Sequence, residues 1–84
     1  MPIVKYIANL KTRVGVDQEK IEARTLREVI SKVSEKVPDL VDFDGKTTGL
    51  YVILVNDVDY RLLGEEYILG DNDVITILPV IHGG

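Results

Sequence analysis

Eighty-four residues, 45% of them apolar and 29% charged, suffice for one small domain with a single core and little room for machinery. A net charge of −4 with no basic cluster denies phosphate backbones the attraction that nucleic-acid binders rely on, so nucleic acid is not an expected partner. The longest apolar run, Leu50 to Val55, falls far short of the ~20 residues of a spanning helix. No secretory signal is recognisable and cysteine is absent. The expectation is a cytoplasmic protein with no membrane partner, no disulfide and no thiolate chemistry.

Alternation over Val4 to Leu10 predicts a strand with Val4, Tyr6, Ala8 and Leu10 on one face and Lys5, Ile7 and Asn9 on the other. Lys11 to Gly15 reads as a turn, and Gln18 to Ala23 as a returning strand with Ile21 inward. Thr25-Leu26-Arg27-Glu28 has the form of a capping box, in which hydroxyl and carboxylate take up orphaned amides at a helix start. Leu26, Val29, Ile30, Val33 and Val37 then recur at helical spacing until Pro38. Asp39 to Gly49 is loop-like, with Leu40 and Phe43 expected beneath the helix end.

Leu50 to Asn56 is apolar on both parities, the pattern of a central strand covered on two sides, and Asn56-Asp57 predicts a tight turn into a partner strand, Val58 to Leu62. Tyr67, Ile68 and Leu69 are expected to point back to the core. In the last strand, Val74 to Leu78, Thr76 marks the polar face, so Ile75 and Ile77 face inward and Leu78 shares the Thr76 face. The order strand, strand, helix, strand, strand, strand predicts an α+β domain, a single β-grasp unit with one main helix on one face of a mixed sheet, over residues 1–79.

Local motifs for chemistry fail on their spacing. Gly45-Lys46-Thr47 has the ending of a phosphate loop, but Leu40 stands where that motif requires glycine. Aligning Gly45 with the sharp turn of a calcium loop puts Leu40 at the first ligand and Tyr51 at the bidentate acid. A lone histidine, His82, builds neither a metal cluster nor a triad, and the carboxylates show no paired spacing. No catalytic and no metal-ligating residue is assigned.

What remains is the end of the chain. Pro79 has no amide to donate, so sheet pairing should fade there and Val80, Ile81, His82, Gly83 and Gly84 should form a flexible tail. Five residues reach roughly 16 Å when extended, and two glycines at the tip make the narrowest backbone available, able to enter a slot closed to other residues.

The run Val52-Ile53-Leu54-Val55-Asn56, followed by Leu69-Gly70-Asp71-Asn72-Asp73-Val74-Ile75-Thr76-Ile77-Leu78-Pro79 and the terminal Gly83-Gly84, resembles the ubiquitin-like sulfur carriers. These include MoaD, the small subunit of molybdopterin synthase; ThiS, the thiamine-pathway carrier; the ubiquitin-related modifier; and the small archaeal modifiers. The likeness spans the whole chain, and its specific part is the strand, proline and Gly-Gly ending in register. The turn Gly70-Asp71-Asn72-Asp73 departs from the Asp-Gly-Asp order more frequent in the molybdopterin group, and His82 is similar to the ubiquitin-related modifier.

The resemblance implies a carrier, not an enzyme, whose Gly84 carboxylate an ATP-dependent adenylating enzyme activates. The product would be a thiocarboxylate used with a sulfurtransferase or a large synthase subunit in molybdopterin, thiamine or tRNA thiolation. Alternatively, Gly84 would be joined to lysines of target proteins. Gly83 is the required neighbour, and His82, Ile81 and Val80 are contacts of the tail. No cofactor is bound stably; ATP is used by the activating enzyme. Parity places Ile7 and Leu78 together on the helix-free face as a patch for partners, beside the tail.

Overall fold

The computed structural model describes residues 1–80. Five strands, β1 (Ile3–Tyr6), β2 (Gln18–Lys20), β3 (Tyr51–Val55), β4 (Val58–Asp59) and β5 (Val74–Pro79), form one mixed sheet in the order β2-β1-β5-β3-β4. A short helix, α1 (Leu10–Val14), follows β1, and the main helix, α2 (Leu26–Ser34), covers one face. β5 lies at the centre, parallel to β1 and antiparallel to β3. This is the β-grasp arrangement that the element order predicts.

The helix starts where the capping box places it. Thr25 is extended, and its hydroxyl accepts from the Glu28 amide at 3.3 Å. The next orphaned amides go to backbone: Leu26 N donates to Tyr67 O at 3.1 Å and Arg27 N to Glu65 O at 2.9 Å, while Leu69 N returns to Arg24 O at 2.8 Å. The 64–70 connection is thereby fastened to the helix start. Leu26, Val29, Ile30 and Val33 project from α2 onto Val4 and Tyr6 of β1, Ile75 and Ile77 of β5, and Ile53 and Val55 of β3, all buried. The register places Tyr6, Ile77 and Ile53 side by side in one row across three strands.

The structure corrects several boundaries. β1 ends at Tyr6, because Ala8 turns to φ +57° and the chain winds into α1, which Gly15 closes at φ +97° with its amide on Lys11 O. Leu10 is buried as expected, but from a helix; Ala8 is exposed. The helix ends at Ser34, and Val37 and Leu40 reach the core from the 3-10 turn Pro38–Leu40 and the residue before it. Phe43 is fully exposed rather than tucked under the helix end. It stands at the tip of a small loop that the Val41–Thr47 bridge and the Gly45 to Asp42 hydrogen bond hold away from the core.

β4 is only two residues long, since the Asp59 side chain accepts from Arg61 N at 2.9 Å and turns Tyr60–Leu62 into a 3-10 turn. Asn56 and Asp57 form the tight turn, both at positive φ. Ile68 is exposed, and only Leu69 of its neighbours is fully buried. β3 is not the central strand, and it is covered by α2 on one face only.

Pairing also continues past the point where Pro79 was expected to end it, for a geometrical reason. Even-numbered residues of β5 exchange hydrogen bonds with β3, as in Asn56 N to Val74 O, and odd-numbered ones with β1, as in Ile7 N to Ile77 O. The missing donor of Pro79 would thus have faced β1, whose ladder has ended and whose Ile7 carbonyl is taken by Leu10 N. Nothing is lost, and Val80 N still donates to Leu50 O at 2.9 Å. Ile81, His82, Gly83 and Gly84 lie outside the described residues.

Two substitutions separate core from loop tip. Ile77→Ala, at the middle of the buried row, should lower unfolding free energy in urea titration by about 2–5 kcal/mol. Phe43→Ala should stay within about 0.5 kcal/mol of wild type, although the sequence pattern assigned both residues to the interior.

Candidate functional site

One layer of helix leaves the other face of the sheet open. On that face the β1–β5–β3 register sets Lys5, Thr76 and Leu54 in one row. The Ile7 N to Ile77 O bond extends the β1 ladder by one step, so Ile7 stands opposite Leu78, and Leu78 opposite Val52. Ile7 is 40% exposed, and Leu78, Val52 and Leu54 are half-buried. The expected neighbours Ile7 and Leu78 therefore do meet on the helix-free face. Sequence reasoning missed Val52 and Leu54, having taken the apolar residues of both parities in β3 as a sign of two covered faces. The detectable signal was that Val52 shares the parity of Leu78 in an antiparallel pair.

This surface adjoins the place where the chain leaves the sheet. Val80, 52% exposed, is the last residue described, and its amide is the last rung of the β3–β5 ladder. On the opposite, helix-side parity, Tyr51 pairs with Pro79. Its hydroxyl donates to Asp39 Oδ1 at 2.8 Å and accepts from Arg13 Nη1 at 2.6 Å, while Arg13 Nη2 reaches the same Asp39 oxygen at 3.1 Å. Three segments distant in sequence are joined there: α1, the 3-10 turn after the helix, and the start of β3. Partial burial disfavours the ionised form of Asp39, but the hydrogen bonds from Tyr51 and Arg13 outweigh it and hold the carboxyl below its ordinary range. Burial, reinforced by the bond to Asp39, raises the Tyr51 phenol.

A second polar cluster, also on the helix side, closes the β2 edge of the sheet. The Tyr6 hydroxyl donates to Glu19 at 2.6 Å, and Lys36 Nζ lies 2.5 and 2.6 Å from the two Glu19 oxygens. Burial opposes ionisation of Glu19, yet Lys36 and Tyr6 together lower its pKa; burial also pushes the Tyr6 phenol far up, with the Glu19 bond adding to it. Among the described residues no group of three or more His, Asp or Glu side chains could hold a metal ion, and no helix is long and apolar enough to cross a membrane. Gly83 and Gly84, expected to react, and the tail contacts Ile81 and His82 are not among the described residues.

A domain with one main helix across a five-stranded mixed sheet, its last described strand at the centre, is of the ubiquitin-like kind. A sequence profile described as the ThiS family matches residues 4–84, and the chain belongs to that family. Ubiquitin-related modifier 1 of Schizosaccharomyces pombe is 37% identical over 60 residues, covering 70% of this chain and 60% of the relative. The chain thus spans about three fifths of that curated relative's length. The crystal structure of Urm1 from Sulfolobus solfataricus superposes with a TM-score of 0.85 at 26% identity, covering 94% of this chain and 100% of the other. A structure from the BexX/CysO complex of Amycolatopsis orientalis gives a TM-score of 0.79 at 27% identity over 100% of both chains. Family match, curated relative and solved structures agree in placing the chain among the ubiquitin-like sulfur-carrier and modifier family.

The two carboxylates give the protein a defined response to acid. A carboxyl whose pKa is lower folded than unfolded contributes stability above its unfolded value and loses it as pH falls through the folded one. Glu19 and Asp39 are both lowered, from ordinary values of 4.5 and 3.8, so stability should decline on acidification through and below that range. Glu19→Gln and Asp39→Asn should each be less stable than wild type at neutral pH and show a shallower acid limb. Thermal melts at a series of pH values measure this.

Proposed function

We propose that this chain is a sulfur carrier that reacts through the carboxylate of Gly84. The observation that carries the reading is the family match, which runs from the first strand through the Gly83-Gly84 ending. An α-carboxyl with a pKa of roughly 3.5 is ionised at neutral pH and offers no leaving group, so it acylates nothing unaided. An ATP-dependent activating enzyme would supply one: a Gly84 oxygen attacks the α-phosphorus, pyrophosphate leaves, and a hydrosulfide ion then attacks the acyl carbon and displaces AMP, leaving the thiocarboxylate. No cofactor stays on the carrier; ATP belongs to the activating enzyme. Gly83 keeps the approach narrow, and Val80, Ile81 and His82 are the contacts that thread it. A sulfurtransferase or a large synthase subunit is the expected second partner, and the final acceptor is of the molybdopterin, thiamine or thiolated-tRNA class.

A second reading is supported by the relatives named as modifiers: Gly84 joined to lysines of other proteins. Intact mass of the protein isolated from its own cells separates the two. One oxygen-to-sulfur exchange marks the carrier, and covalent adducts mark the modifier. Because no lysine or arginine follows Arg61, tryptic searches for adducts must seek the whole Leu62 to Gly84 remnant. Deleting Gly84 should abolish ATP–pyrophosphate exchange with the activating enzyme while leaving the melting temperature unchanged. Normal exchange by the deletion variant would refute the mechanism.

The helix-free patch is the docking surface in this reading. Val52 and Leu54 extend it beyond Ile7 and Leu78 toward β3, so a partner seated on it is already aligned to receive the tail. Ile7→Asp and Leu78→Asp should each weaken binding to the activating enzyme by about 1–3 kcal/mol in calorimetry, with the fold retained.

A further inference from the structure

The end of the sheet is held by a relay of hydrogen bonds with Asp39 at its hub. The Asp39 carboxylate takes Tyr51 and Arg13, fixing the ring of the residue paired with Pro79. Its backbone carbonyl takes the Thr48 hydroxyl at 2.7 Å. That hydroxyl accepts from Leu50 N at 3.3 Å, and Leu50 O accepts from Val80 N at 2.9 Å. Thr48 N is itself fixed on Leu40 O at 3.0 Å. Two routes thus run from the turn after the helix to the end of the ladder: one through the Tyr51 ring, cross-strand from Pro79 with no hydrogen bond to it, and one through the Thr48 hydroxyl and the Leu50 backbone to Val80.

Ordinary stability does not account for this convergence. Arg13, Asp39 and Thr48 are at least partly exposed, and exposed ion pairs are worth little. What the relay does achieve is geometrical. Leu50 precedes β3 and would otherwise be a loop residue, since its side chain is exposed. Held through Thr48, its carbonyl becomes a fixed acceptor that carries the ladder one residue past Pro79. The last described rung of the ladder, and with it the direction of the chain at Val80, is thereby fixed. Had pairing ended at Leu78, Pro79 and Val80 would have been free of the ladder.

We propose that Asp39, Thr48 and Tyr51 are positioning residues that aim the tail, so that the relay raises the rate at which Gly84 meets the nucleotide without contributing to docking. The inference rests on the function proposed above for its enzymatic readout, but not for its structural one. Misplacement of a reacting group by about 1 Å costs up to 10²-fold in rate, so an effect of roughly tenfold is expected from loosening the origin.

The test compares Thr48→Val, which keeps the shape and removes the hydroxyl, with Thr48→Ser, which keeps the hydroxyl, and with Tyr51→Phe. Hydrogen exchange of the Val80 amide should accelerate about tenfold in Thr48→Val and in Tyr51→Phe, and remain as in wild type in Thr48→Ser. In ATP–pyrophosphate exchange with the activating enzyme from the same cells, kcat should fall about tenfold for the first two at unchanged KM for the carrier. Thr48→Ser should match wild type. Unchanged Val80 exchange in both Thr48→Val and Tyr51→Phe overturns the relay. Faster exchange with unchanged kcat, or an equal change in KM, overturns its role in aiming the tail. If wild-type protein supports no pyrophosphate exchange at all, the proposed function fails, and Val80 protection alone decides whether the relay exists.

Discussion

The rest of the structure depends on the double pairing of β5. Among the described residues this is the last strand in sequence and the one with long ladders on both edges, parallel to β1 and antiparallel to β3. Its inward residues, Ile75 and Ile77, are completely buried beneath α2, so the two halves of the chain close around it. A parallel ladder to the first strand requires a connection that crosses the sheet, and the helix supplies that crossing while shielding the inward face. Because β5 is central, whatever follows it leaves from the middle of the sheet edge and not from a frayed flank.

That placement links stability to function. The same strand that presents Ile77 to the core presents Leu78 to the open face one residue later, between Ile7 and Val52. The open face and the core thus share one strand, whose alternate residues serve each in turn. An apolar patch on a protein of this size is tolerable because Val52, Leu54 and Leu78 are half-buried by their neighbours in the sheet, leaving Ile7 as its exposed member, and the net charge of −4 opposes self-association.

The two polar clusters secure different parts of this arrangement. Glu19, held by Lys36 and Tyr6, ties the edge strand β2 to the residues that follow α2. Asp39, held by Arg13 and Tyr51, ties α1 and the turn after the helix to the start of β3. Both join segments distant in sequence, and in both a carboxylate accepts from a cation and a phenol.

Periodicity and capping residues by themselves determined the order of the five strands and the main helix, though not α1, along with the inward rows Val4/Tyr6 and Ile75/Ile77, the start of the helix at Thr25, the turn at Asn56-Asp57 and the outward parity of Ile7 and Leu78. These follow from local geometry, since a strand alternates and a helix repeats whatever surrounds it. The Gly-Gly ending and the strand and proline before it were likewise legible, and with them the family. Only the tertiary structure decided which strand is central, that Val52 and Leu54 face outward, that Phe43 and Ile68 are exposed, and that pairing survives Pro79. Each of these depends on what lies across the sheet: an apolar residue is buried only if a neighbour covers it, and a missing amide matters only if an acceptor stands opposite. Arg13, Asp39 and Tyr51 are brought together by the sheet and the helix end across separations of up to 38 residues, and no local pattern encodes a contact of that span.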